Sequence, residues 1–260
     1  MNNIQYQKTN IICIDIAKFI AIFLVVYAHF IGSYAQNRTL TDFIYLFHMP
    51  VFFIICGYLY HQKNRKNELK KIFWRLLIPY FIYQFLYLPF QISSCIINHH
   101  QTFAYSLEKC LIGILYGDGY TTFIFQNVCF PCWFIVSLMQ LRLIFMNFKM
   151  STKNLVIISL ISFLILKSLM IHKIDLYFCL DSTLMAIPYF CFGYLLKNNF
   201  NNALDRISQF NVVSKITLSS LCIIFLLLIL NINGVVQMNL QITDLICSKS
   251  LLLAYFGGGG

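Results

Sequence analysis

Seven apolar stretches, each near the roughly 20 residues that a helix needs to cross a bilayer, run along the chain. Hydrophobic residues make up 59% of its 260 positions and charged residues only 11%, whereas a soluble domain carries about 25% charged residues. The sequence therefore predicts an all-α fold, a polytopic transmembrane helical bundle, and excludes a disordered chain, a disulfide-rich secreted scaffold and a nucleic-acid-binding domain. The stretches cover residues 11–33, 42–60, 72–97, 133–148, 154–171, 176–196 and 214–232, and an eighth begins near residue 248 and stops at Phe256.

The distribution of basic residues predicts how the helices are oriented. Residues 61–75, between the second and third stretches, contain six basic side chains and one acid, Glu68. The positive-inside rule places this segment in the cytoplasm. Alternation then places the amino terminus, the 149–153 turn and the 197–215 loop there too, so that cytoplasmic segments hold twelve of the nineteen basic residues. The six basic residues of the segment are Lys63, Arg65, Lys66, Lys70, Lys71 and Arg75.

Two segments allow more than one interpretation. The first stretch ends near Ser33-Tyr34-Ala35 and so imitates a signal peptide, but it is long and contains Asp15 and Lys18, which argues against cleavage. Residues 103–116 are apolar but too short to span a bilayer. We expect them to form an interfacial or re-entrant helix on the outer side.

Three ionisable residues lie in the first apolar stretch, where charge is costly and functional residues concentrate. At 100° per residue, Asp15, Lys18 and His29 fall within one stripe about 60° wide, and His29 lies about 16 Å above Lys18. Asp15 and Lys18 are also spaced for a simple ion pair. His29 could equally be an interfacial histidine bonded to headgroups or to a neighbouring helix.

The second stretch adds His48 at a depth comparable with that of His29, about 9 Å from the outer end of its span. Two imidazoles at one depth could share a buried pocket, where a group with a pKa near neutrality can take a proton from a hydroxyl nucleophile and return it. Metal binding is the rival chemistry, but the sequence offers neither a short H-x-x-x-H spacing nor an adjacent carboxylate. We therefore expect no metal.

Most of the ten cysteines lie in apolar stretches, where a cysteine behaves as a small hydrophobic side chain. Cys129 and Cys132 differ because they precede the fourth stretch at its outer end. A two-residue spacing is compatible with a disulfide in an oxidising compartment, but it does not establish one.

Four blocks of sequence resemble the acyltransferase 3 family of bacterial integral-membrane O-acyltransferases, especially its fucose 4-O-acetylase-like branch. The blocks occur in the family's order and reach from residue 14 to residue 196. They are IDIAKFIAIFLVVYAHF, FHMPVFFIICGYLY, KKIFWRLLIPY, and WF followed by DSTLMAIPYFCFGYLL.

The resemblance implies a single acyltransferase domain over residues 1–260 in the bacterial plasma membrane. It implies transfer of an acyl group, usually acetyl from cytoplasmic acetyl-CoA, to a sugar hydroxyl of a cell-surface glycan or its lipid-linked precursor. The family has about ten spans, each of bilayer length, whereas this chain offers seven or eight. We therefore expect a carboxyl terminus truncated near Gly257 to Gly260.

The resemblance also suggests roles for individual residues. His29 matches the family's first-helix histidine, the expected general base, and His48 or a nearby tyrosine is expected to orient it or to stabilise charge. Lys18, preceded by Asp15, stands at a position that is often arginine, and a lysine does not reproduce a guanidinium's contacts. The spacing of Lys71 and Arg75, i and i+4, places them on one helical face at the membrane boundary, and we expect them to bind the phosphates of acetyl-CoA. The topology of a cytoplasmic loop would by itself explain most of the basic cluster. Five further residues of the matching blocks are expected to support the site: Asp15, Lys18, Tyr80, Trp133 and Asp181.

Three alternative functions remain open at this point. The same intramembrane charges could serve a transporter or exporter of a small polar solute. A relative acting on an amino-acid or antibiotic substrate would share the same blocks. A truncated and inactive family member would also keep them, because the histidines and the basic cluster lie in the first third of the chain.

Overall fold

A computed structural model describes residues 2–32, 39–62, 64–117, 128–172 and 176–209, together with Thr217 and Ser220. All regular structure in these ranges is helical, which agrees with the predicted all-α fold. A π-helical turn, Phe73–Leu77, joins α3 to α4, and a 3-10 turn, Phe130–Cys132, precedes α6. The helices are α1 Asn2–Gly32, α2 Thr39–Tyr58, α3 Arg65–Ile72, α4 Ile78–His99, α5 Phe103–Tyr116, α6 Trp133–Met146, α7 Thr152–His172 and α8 Leu180–Gln209.

The described helices have the surface of a membrane protein. Two continuous helical segments are long and apolar enough to cross a bilayer: 65–99, which comprises α3, the π-helical turn and α4, and 152–169 within α7. Residues 48–58 of α2 and 133–146 of α6 form shorter apolar helices. Large apolar side chains point outwards, among them Phe19 and Phe30, each 70% exposed. Such a surface is stable in lipid and would aggregate in water. The predicted stretches at 214–232 and beyond residue 248 lie outside the described residues.

Helices α2 and α8 cross in direct backbone contact. A Cβ on Gly57 would overlap the main-chain carbonyl of Phe190, and a Cβ on Gly193 would overlap the carbonyl of Ile54. Small residues at such crossings let two helices in a membrane approach closely and gain van der Waals contact. The two glycines therefore set the distance between the helix that carries His48 and α8.

Aromatic side chains fill the space beside this crossing. Phe190 of α8 stacks on Phe145 of α6 with ring centroids 4.8 Å apart. The Phe190 ring also meets the edge of the Tyr60 ring, with centroids 5.4 Å apart. Phe145 and Phe190 are almost completely buried. Dispersion contacts of this kind bind α6, α8 and the end of α2 into one core.

Helix α5 coincides with the short apolar segment 103–116, as predicted. Helix α5 begins just after the end of α4. Its own end lies near the beginning of α4, where the Tyr80 hydroxyl donates to the Ile114 carbonyl at 2.6 Å. Helix α5 therefore folds back along α4. The hydrogen bond also satisfies one of the last carbonyls of α5, which have no partner within the helix.

Two segments predicted as loops are helical. The basic segment after α2 forms α3 from Arg65 onwards, and the Asn64 side chain starts this helix by accepting from the Lys66 N–H at 3.2 Å. Residues 197–209, assigned to a cytoplasmic loop, continue α8 to Gln209. They contain no proline or glycine, so no residue ends the helix where the apolar stretch ends.

Candidate functional site

The predicted ion pair on α1 is formed. Lys18 Nζ lies 3.0 Å from Asp15 Oδ1, and both side chains remain partly exposed. A pair at this i, i+3 spacing reduces the cost of two charges in an apolar helix. Helix α1 packs against α2, so this pair lies on a helix next to the one that carries His48.

His29 lies on the described backbone of α1, but its side chain is outside the described part of the structure. The helix is unbroken from Asn2 to Gly32. The backbone therefore keeps the rise of about 16 Å from Lys18 to His29 that the helical spacing predicts. The assignment of His29 as the general base remains a prediction.

His48 is buried on α2, with 6% of its surface exposed. Its Nδ1 lies 2.9 Å from the Ile44 carbonyl, one turn earlier on the same helix. A carbonyl oxygen can only accept, so Nδ1 carries the hydrogen, and Nε2 is the basic nitrogen of the neutral ring. The hydrogen bond fixes both the tautomer and the orientation of the imidazole, as a residue that positions or assists a base requires.

Lys71 and Arg75 lie on either side of the junction between α3 and the π-helical turn. Lys71 is half-buried near the end of α3, and Arg75 is exposed in the turn itself. Single π-helical turns inside longer helices occur frequently at functional sites. The Arg75 side chain is therefore accessible from outside the helix bundle.

The three supporting residues Tyr80, Trp133 and Asp181 are all buried. Tyr80 donates to α5, Trp133 begins α6, and Asp181 lies in the first turn of α8, where its Oδ1 accepts from the Ser182 N–H at 2.7 Å. A carboxylate at a helix amino terminus is favoured by the helix dipole. In the described part of the protein, Tyr80 and Asp181 thus hydrogen-bond to backbone groups at helix ends.

The structure adds one ion pair that the sequence analysis missed. Arg142 of α6 contacts Glu68 of α3 through Nη2 and Nε, each 2.6 Å from Oε1. In the sequence Glu68 is the lone acid of a basic segment, and Arg142 lies inside an apolar stretch. An arginine in such a stretch commonly pairs with a buried acid or with backbone carbonyls, so Arg142 is the signal in the sequence for such a contact.

Cys129 and Cys132, just before α6, are buried thiols whose side chains are hydrogen-bonded to each other. The hydrogen bond from Cys132 holds the pKa of Cys129 below its ordinary value, although burial alone would raise it. The pKa of Cys132 is raised, first by this hydrogen bond and then by burial. Cys129 is therefore the thiol that ionises first.

We expect Cys129 to be alkylated at a lower pH than Cys132, because the thiolate is the nucleophile. In Cys132→Ala the hydrogen bond is lost and burial remains, so the pH dependence of Cys129 alkylation should move upwards. Iodoacetamide labelling across a pH series, read by peptide mass spectrometry, measures this. Identical profiles for Cys129 in the two proteins would contradict the assignment.

Among the residues that the structure describes, no three histidine, cysteine or acidic side chains come together as a metal site. The described helices carry a buried imidazole at His48 and, as a separate group, a buried carboxylate paired with a guanidinium at Glu68 and Arg142. Acid–base chemistry and anion binding are the functions that such groups can support.

The fold and these groups define a helical membrane protein with ionisable residues inside its apolar core. The sequence model of the acyltransferase 3 family, described as an acyltransferase domain, matches residues 11–257. The match covers nearly the whole chain, and the protein belongs to this family of membrane acyltransferases. No curated protein and no solved structure matches the chain.

Proposed function

We propose that the protein transfers an acetyl group from cytoplasmic acetyl-CoA to a sugar hydroxyl of a cell-surface glycan or its lipid-linked precursor. It would do so in a bacterial plasma membrane, with its amino terminus in the cytoplasm and seven or eight spans. The observation that carries the proposal is the family match over residues 11–257. The polar residues of α1 and the cationic α3 junction supply the chemistry that the reaction needs.

The donor would bind at the junction of α3 and the π-helical turn. Acetyl-CoA is strongly anionic through its phosphates, and arginine and lysine are the side chains that bind phosphate best. Arg75 is exposed in the π-helical turn, and Lys71 precedes it by four residues in α3. Phosphates held at this end would leave the flexible arm of the donor to carry the thioester into the bundle.

His29 would then act as general base. It removes the proton of the acceptor hydroxyl as the oxygen attacks the thioester carbonyl, and a new C–O bond forms. When the tetrahedral intermediate collapses, the C–S bond breaks and the CoA sulfur leaves with the electron pair. The protonated His29 returns its proton to that sulfur, so the enzyme is unchanged and free CoA is released. His48, held by its bond to Ile44, would orient the base or stabilise charge.

We expect Arg75→Ala to raise the KM for acetyl-CoA about tenfold, the loss expected for a charge-assisted contact of about 1.5 kcal/mol. The turnover number should change little, because Arg75 contacts the donor far from the reacting carbonyl. Kinetics in membranes at varied acetyl-CoA concentrations measure both constants. Lys70→Ala, at an exposed position of α3, is the matched control. An unchanged KM in Arg75→Ala would reduce Arg75 to a marker of topology.

Mass spectrometry of surface polysaccharides and lipid-linked sugars tests the proposed reaction. Cells that carry the protein should show the mass increment of one acetyl group on a sugar, and cells without it should not. A solute exporter with the same intramembrane charges would leave these sugars unchanged. Acetylation that is independent of the protein would refute the proposal.

A further inference from the structure

The contact between Glu68 and Arg142 joins helices that are far apart in the sequence. The two residues are 74 positions apart, and both Nε and Nη2 of Arg142 reach the same oxygen, Oε1 of Glu68. The Glu68 side chain has no exposed surface, and that of Arg142 is 15% exposed. Paired N–H groups fix the direction of a guanidinium as well as its distance. The pair therefore determines how α3 is placed against α6.

Burial makes this contact obligatory. An ionised carboxylate without a partner in the protein interior is strongly unfavourable, and so is an unpaired guanidinium. If α3 moved away from α6, Glu68 and Arg142 would each lose their partner at once. The placement of α3 is thus held by the penalty for separating the pair, whatever the net stability that the pair contributes.

The surroundings extend this link to the end of α2. The Arg142 guanidinium carbon lies 6.0 Å from the centre of the Tyr60 ring. Among the described residues, neither Tyr60 Oη nor Glu68 Oε2 has a hydrogen-bond partner. The Tyr60 ring thus places the end of α2 beside the ion pair that joins α3 and α6.

The cations proposed to bind the donor lie on the same continuous helical segment as Glu68. Lys71 follows Glu68 by one turn, and Arg75 follows it by two turns of an ideal helix. A straight α-helix would turn Arg75 back towards the buried face of Glu68, but the wider π-helical turn intervenes, and Arg75 is exposed. The position of Arg75 thus depends on an anchored α3 and on the turn that follows it.

We propose that Glu68 and Arg142 are a positioning pair that holds Lys71 and Arg75 in the geometry required to bind the anionic acyl-CoA donor. Neither residue needs to contact the donor. The inference rests on the proposed function, because it takes acyl-CoA as the ligand of the α3 cations. It adds residues outside the predicted site whose loss should weaken donor binding.

The test measures the dissociation constant for acetyl-CoA and the Tm of the full-length protein in detergent. The principal variant is the double change Glu68→Leu with Arg142→Leu. It removes both buried charges together, so folding should survive and the Tm should stay near that of the wild type. Donor affinity should nevertheless fall about tenfold, the upper part of the range expected for coupling between sites. Glu108→Leu and Lys153→Leu, at exposed positions on α5 and α7, are the controls and should bind normally.

A double variant that keeps both its Tm and its acetyl-CoA affinity would overturn the inference while leaving donor binding in place. A wild-type protein that does not bind acetyl-CoA would overturn the donor assignment itself and this inference with it. Glu68→Gln covers the case in which the double variant fails to fold, because it keeps the side-chain volume and an accepting oxygen. It should bind acetyl-CoA about threefold more weakly, and unchanged binding by Glu68→Gln would contradict the positioning role.

Discussion

Replacing His29 with alanine should abolish acyl transfer while leaving expression and membrane insertion intact. A general base contributes about 10²- to 10⁴-fold to a rate, and without one the acceptor hydroxyl would have to attack the thioester in its protonated form. The fold should tolerate the change because alanine has the highest helix propensity and α1 is a continuous helix. The loss should therefore appear in the turnover number and not in the amount of folded protein.

The matched control for this variant is His172→Ala. His172 is an exposed histidine at the end of α7, outside the four sequence blocks that resemble the family. Its replacement should leave transfer unchanged. Acetyl transfer at the wild-type rate by His29→Ala would remove His29 from the mechanism and leave His48 as the candidate base.

Alanine at Gly57 or Gly193 should produce the largest loss of stability. Each new Cβ would overlap a main-chain carbonyl, that of Phe190 or that of Ile54, and a carbonyl in a helix cannot rotate away as a side chain can. Overpacking of this kind costs about 1–3 kcal/mol, and more where two backbones must separate. We expect the Tm to fall by several degrees in each variant.

Thermal unfolding of the purified protein in detergent measures this effect. Phe192→Ala is the control, because Phe192 adjoins Gly193 on α8 but its side chain is exposed towards the lipid. It should unfold near the wild-type temperature although it removes far more volume. Wild-type stability of both glycine variants would show that α2 and α8 do not cross as closely as described.

The helices were predictable from the sequence because a bilayer imposes a length and a polarity on every segment that crosses it. The predicted stretch 154–171 lies within α7, Thr152–His172, and the short segment 103–116 coincides with α5. The ends of helices outside the membrane follow no such rule. For that reason α8 continues to Gln209, thirteen residues beyond the end of its apolar stretch.

Contacts between distant helices were not predictable from local patterns. A glycine in an apolar stretch does not reveal that it will meet Phe190 of another helix. The charge of Arg142 could have signalled a buried partner, but only the fold selects Glu68 over other acids. The ion pair of Asp15 with Lys18 was predictable because both residues lie within one turn of one helix.

The candidate site was only partly predictable for the same reason. The sequence predicts a depth in the membrane for His48, but the bond from Nδ1 to the Ile44 carbonyl, which selects its tautomer, is seen only in the fold. The sequence predicts Lys71 and Arg75 on one helical face. The structure has a π-helical turn at Phe73–Leu77, after Lys71, and no sequence pattern predicts this turn. The roles of His29, Lys71 and Arg75 stay predictions until variants are assayed.

Acetyl transfer in inverted membrane vesicles tests the central claim most directly, because such vesicles expose the cytoplasmic face to added donor. Vesicles with the wild-type protein should move label from radiolabelled acetyl-CoA into polysaccharide or lipid-linked sugar, and vesicles with His29→Ala should not. Equal labelling of the sugars by the wild-type protein and by His29→Ala would contradict the role of His29 as the base. The absence of labelling by the wild-type protein would contradict the acetyltransferase activity itself.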